Sequence, residues 1–195
     1  MHAHRVLPAL GAALLLAGCA AQSGGVAART STSTAPHDWR NSTYHLTCDG
    51  IVPGGFDATL VNGAARVPAD VSQTPYYDNF DIRLVSTATG DVDGNGKPDT
   101  VALLRCSPQP SNAFVQEVQV FRAGGSLLAE LPRPQTLVET TIIAPIYVPG
   151  GLSVQHEDVV ARMQAYGPGD SHATGPHVPF TVRWHWNGDA FVRVG

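Results

Sequence analysis

Apolar runs in this chain are short, and glycine or proline ends almost every one before it reaches helical length. The 20 glycines and 15 prolines among 195 residues are spread through the sequence, so long amphipathic helices have nowhere to form. What remains between the breaks alternates with period two, the signature of a strand with one buried face. Tyr44 to Cys48, Phe56 to Val61, Ala64 to Val67, Ile82 to Ser86, Thr100 to Cys106, Val115 to Arg122, Leu127 to Leu131, Val138 to Ile146 and Val159 to Tyr166 are predicted strands. Val159, Val160, Met163 and Tyr166 also fall at helical spacing, but the alternation favours a strand there. Val101-Ala102-Leu103-Leu104 is a continuous apolar run, as expected of a central strand covered on both faces.

Two Asn-Gly pairs predict tight turns, because Asn-Gly accepts the positive φ angles of a type I′ hairpin. Asn62-Gly63 would join Phe56–Val61 to Ala64–Val67. Asn187-Gly188 would follow a strand that puts Phe180, Val182, Trp184 and Trp186 on one face, with Phe191 opposite Trp184. The segments 67–81 and 167–179 are long loops rich in Pro, Gly and His. The fold class is therefore mainly β: one antiparallel β-sandwich or partly open barrel of about seven to nine strands, with little helix.

The N-terminus is a separate matter. His2, His4 and Arg5 precede an apolar stretch, Leu7 to Ala17, which is too short to span a bilayer core. It closes on Leu16-Ala17-Gly18-Cys19. This ending resembles the lipobox of bacterial lipoproteins. The resemblance implies cleavage before Cys19, a diacylglyceryl thioether on its sulfur, and an extracytoplasmic chain held to a membrane by lipid (palmitate or similar). Two or three acyl chains anchor stably, at about 0.8 kcal/mol per buried CH2. Residues 1–18 are then a signal peptide. Residues 19–38 are small, polar and low in complexity, as a flexible tether would be. The domain is 39–195, long enough to bury a real core.

In an oxidising compartment the two remaining cysteines, Cys48 and Cys106, form a disulfide by default; the alternative is two buried thiols. The chain has 12 basic and 16 acidic residues, a net charge of −4, and no basic cluster, which excludes a nucleic-acid partner.

One segment carries distinctive chemistry. Residues 91–99 read Asp-Val-Asp-Gly-Asn-Gly-Lys-Pro-Asp. Side-chain oxygens fall at Asp91, Asp93, Asn95 and Asp99, with the Lys97 carbonyl between them and Gly96 where a calcium loop turns sharply. Alternating hard oxygens that converge are what Ca2+ requires. A metal-free polar turn is the competing reading, since Asp-Gly and Asn-Gly form turns unaided. Three carboxylates in nine residues would repel one another in such a turn. Ala102 stands at position 12, where an EF-hand needs a bidentate Glu, and the flanks read as strands, so this is not an EF-hand.

The run from Gly90 to Ala102 resembles the calcium loop of FG-GAP or VCBS repeats, which joins two strands in β-propellers and many secreted bacterial proteins. The resemblance implies that Asp91, Asp93, Asn95, the Lys97 carbonyl and Asp99 bind calcium in a structural role. Only one copy is present, so it does not imply a propeller.

The other signals are weaker. His156-Glu157 opens like a His-Glu-x-x-His zinc motif, but Val160 occupies the second histidine position. Asp170, His172 and His177 share a loop, where solvated histidines are the usual outcome. Trp39, Trp184 and Trp186 are either core or a sugar-stacking platform. Asp78 and Asp81, beside Tyr76 and Tyr77, have the residue types for acid–base work without a motif. There is no Gly-x-Ser-x-Gly elbow. These observations lead to a non-enzymatic envelope lipoprotein with a calcium-stabilised domain, binding an envelope protein or glycan or serving a structural role. The alternative is an envelope enzyme acting on glycan or peptide from the 67–81 or 167–179 loop.

Overall fold

The computed structural model describes residues 37–70, 72, 76–138 and 143–195. Eleven strands lie among them: β1 (Thr43–Leu46), β2 (Phe56–Thr59), β3 (Ala64–Pro68), β4 (Asn79–Gly90), β5 (Asp99–Gln109), β6 (Val115–Phe121), β7 (Leu127–Glu130), β8 (Ile146–Gln155), β9 (Asp158–Ala165), β10 (Val178–Trp186) and β11 (Phe191–Arg193). Only two short 3-10 turns, Trp39–Asn41 and Pro134–Leu137, interrupt the β structure. The strands form three antiparallel sheets, ordered β3-β4-β5-β6-β7, β11-β10-β9-β8 and β1-β2, and none closes into a barrel. The mainly β, sandwich-type expectation holds, with more strands than the seven to nine foreseen.

The five-stranded sheet is the middle layer, and β5 shows why. Residues 99–104 are buried without a break, so this strand has no solvent face. Val101 and Leu103 point into one core with Tyr147, Leu152, Val159, Met163, Val182 and Trp184 of the four-stranded sheet. Ala102, Leu104 and Cys106 point the other way, to Tyr44, Leu46 and Ala58 of the two-stranded sheet and to Leu60 just after it. A period-two strand buried on both sides must read as a continuous apolar run, which is what the sequence shows there. In β4, Phe80 and Ile82 face the smaller core, whereas Ala88 faces the larger. The register shift between Leu84 and Ser86 makes this possible, because one extra residue flips the side chains that follow.

Cys48 and Cys106 are joined, their Cα atoms 5.6 Å apart, which fastens the end of the β1 segment to the central strand. Buried polar side chains of β6 complete that junction. Glu117 accepts from the Thr47 hydroxyl (2.6 Å) and the Asp49 amide (2.6 Å), and Gln119 donates to the His45 carbonyl. Groups left unpaired when β1 ends are thereby satisfied by the sheet it packs on.

Three details differ from the sequence reading. Asn62 and Gly63 do turn, with φ of 54° and 85°, but pairing stops after the single bridge Val61↔Ala64. β2 then joins β1 while β3 joins β4, so the turn links two sheets rather than making a hairpin. Val138 to Ile146 is not a continuous strand: Leu137 ends a 3-10 turn, 139–142 lie outside the described residues, and β8 begins only at Ile146, after Pro145, which has no amide to donate. Phe191 pairs with Trp186 rather than Trp184, because the loop holds four residues, with Asn187 Oδ1 accepting from the amides of Asp189 and Ala190.

Candidate metal centre

The Asp-rich segment is the connection from β4 to β5, closed by the pair Gly90↔Asp99. Its own side chains shape it. Asp91 accepts from the amides of Asn95 (3.0 Å) and Gly96 (2.8 Å), and Asn95 Oδ1 accepts from the Lys97 amide (2.9 Å). Gly94 and Gly96 sit at φ of 71° and 78°, the left-handed region where glycine carries no penalty. Val92, between two of the aspartates, is buried in the larger core and roots the loop there.

Asp91, Asp93 and Asp99 each place a carboxylate oxygen within 4.8 Å of the others. Asp99 is fully buried. Its Oδ2 accepts from the Val92 amide (3.0 Å) and more distantly from that of Asp93 (3.4 Å). Its Oδ1 is buried and has no hydrogen-bond partner among the described residues. A carboxylate oxygen withdrawn from water without a partner is costly unless a cation meets it. The donor set therefore fits a metal ion. Among the described residues, Arg122, with Nε 3.7 Å from Asp93 Oδ2, is the basic side chain in ion-pair range of this group. Asn95 and Lys97, the other expected ligands, belong to the same turn, with the Asn95 oxygen engaged by the Lys97 amide.

The weaker candidates find ordinary places. His177 Nδ1 lies 2.6 Å from Asp170 Oδ2, which also accepts from the Gly167 amide, while His172 packs edge-on to Tyr166. These three residues do not form a metal-type group. Trp184 is core, while Trp39 packs on Phe121 and Trp186 on Phe191, both half-buried. Asp81 is held by Arg66 in a two-pronged pair of 2.6 and 2.9 Å. Cys19 lies outside the described residues.

The sequence reading missed Asp49. It follows Cys48 in a turn where both residues have positive φ, 50° and 55°. It lines a cavity of about 640 Å3 with Phe114, Pro134, Ile146, Tyr166 and His172. Burial pushes its carboxyl up to about 6; Arg133 nearby offsets this and Glu117 adds to it. Only the Asp-Gly dipeptide at 49–50 hinted at a turn, and nothing local signals the burial.

A raised carboxyl has a definite sign. The folded protein holds this proton more tightly than the unfolded chain, so the Asp49 contribution to stability is fully present below the ordinary value of 3.8 and is lost as pH rises through about 6. Asp49→Asn keeps the left-handed turn, which Asn tolerates, and removes the buried charge. It should raise the melting temperature by about 3 °C at pH 7.5, corresponding to about 1 kcal/mol once Arg133 and cavity water are allowed for, and by much less at pH 4.5. Equal gains at both pH values would exclude the buried charge as the cause.

Fold and site together define a class: an antiparallel, layered β domain with an acidic interstrand loop able to hold a metal ion. Comparison of the chain with protein-family models, with curated proteins and with solved structures found no match.

Proposed function

We propose that the protein is an envelope lipoprotein: a calcium-stabilised β domain tethered through Cys19 to a bacterial membrane, with a binding or structural role rather than an enzymatic one. The observation that carries the calcium assignment is the buried, unpartnered Asp99 Oδ1 beside Asp91 and Asp93. Oxygen-only donors favour calcium over softer metals. The tether rests on Leu16-Ala17-Gly18-Cys19, and the disulfide agrees with an oxidising compartment.

The test is calorimetric titration of calcium into the full chain in detergent micelles, beside an Asp93→Ala/Asp99→Ala variant. With a Kd of about 10⁻⁴ M, typical of extracellular modules, 1 mM calcium stabilises the fold by about 1.4 kcal/mol. Heat and a raised melting temperature, both absent in the variant, are the expected result. A flat titration at millimolar calcium removes the metal from the proposal. Mass spectrometry of the chain expressed in bacteria tests the anchor separately: the acyl adduct should vanish in Cys19→Ser.

One observation favours the enzyme reading. The cavity holding Asp49 is walled in part by Tyr166, His172 and Ala173, at the edge of the 167–179 loop. A carboxyl near 6 has a value suited to proton transfer at neutral pH. Turnover of a glycan or peptide substrate that is lost in Asp49→Asn, in protein that stays folded, would establish that reading.

A further inference from the structure

An EF-hand completes its calcium shell with a bidentate Glu at position 12, and this loop has Ala102 there, buried in the smaller core. A carboxylate reaches the loop from a different sheet instead. Glu157 lies in the two-residue turn between β8 and β9, closed by the pair Gln155↔Asp158. A Cβ built on Gly94 would lie 3.6 Å from both Glu157 carboxylate oxygens, so that carboxylate sits directly over the residue between Asp93 and Asn95. Gly90 makes a second contact of the same kind, since a side chain there would collide with Val154 of β8. The β4–β5 loop and the β8–β9 hairpin are thus seated against each other.

The turn itself is unusual. His156 and Glu157 have φ of 52° and 68°, where this chain uses Asn-Gly at 62–63. Side chains with a Cβ are disfavoured there, more so for Glu than for Asn. Glu157 is exposed and has no ion-pair partner among the described residues, yet it faces a loop with three aspartates. Arg122 offsets one of these charges at Asp93, the like charges that remain repel, and a divalent cation reverses that.

Building on the calcium reading above, we propose that Glu157 is an outer ligand of the site, reaching the ion through a bound water, so that calcium ties the β8–β9 turn of the four-stranded sheet to the β4–β5 loop of the five-stranded sheet. The water-bridged role follows from its position: Glu157 stands outside the group of oxygens within 4.8 Å of one another. EF-hand loops use a water-bridged ligand in the same way at position 9.

The experiment is calcium titration of the full chain in detergent, wild type against Glu157→Gln, combined with hydrogen exchange of the turn amides at 155–158. The substitution is isosteric and exposed, so folding is retained. Loss of an outer-shell partner weakens metal affinity by about tenfold or more. In the wild type calcium should slow exchange in the turn, and in Glu157→Gln it should not. Wild-type affinity together with unchanged turn protection in Glu157→Gln overturns the inference while leaving the calcium site standing. No binding by the wild type at millimolar calcium overturns the calcium reading and this inference with it.

Discussion

Replacing Cys48 and Cys106 by alanine should lower the unfolding free energy by about 4 kcal/mol, the chain-entropy value for this loop. The bond spans 58 residues, so the unfolded chain loses a large loop's worth of freedom when it forms. For a domain of this size that corresponds to a melting temperature lower by about 8–16 °C. The loss should be uneven. β1 and β2 are four residues each and form a sheet of their own, held to β5 by the smaller core and by this bond. Amides of β1 and β2 should therefore exchange much faster in the variant, while those of β9 and β10 change only with global stability. Equal loss of protection in every strand would mean that the bond acts on the unfolded chain alone and does not pin the small sheet.

Asp99→Ala should be the most damaging single change in the acidic loop, by about 3–4 kcal/mol in 1 mM calcium. Part of this is the lost metal. The rest is the amides of Val92 and Asp93, which lose their shared acceptor in a place where Val92 is fully buried. Asp99→Asn separates the two contributions. Its amide oxygen can still accept from those backbone groups, and it brings no charge to the unpartnered Oδ1 position. In a chelator, Asp99→Asn should melt at or above the wild type; in calcium it should melt below it. Curves that do not cross would show that Asp99 serves only as a loop acceptor. Denaturant midpoints measured with calcium and with chelator give all four values.

Much of the candidate site was legible because its chemistry is local. Asp91, Asp93 and Asp99 lie within nine residues, and alternating spacing in a turn suffices to bring their oxygens together. Asp49 and Glu157 were not legible, for the opposite reason. Asp49 shares a cavity wall with Phe114, Pro134 and Ile146, and Glu157 meets Gly94 across two sheets; residues far away in sequence decide both environments. β8 escaped notice because Val148-Pro149-Gly150-Gly151 breaks the alternation, and the strand survives only as an irregular ladder with a shift between Tyr147 and Leu152.

Residue pattern alone was enough for the β class, the double-sided burial of β5 and the positive-φ turn at Asn62-Gly63. These follow from period-two patterning and turn chemistry, which act over a few residues. Packing between distant segments set the rest: the Asn62-Gly63 turn passes between sheets, one central sheet carries a core on each face, and Asp99 is shut away from water. Local preference makes a turn or an edge, but which strand pairs with that edge depends on the apolar area buried against distant partners.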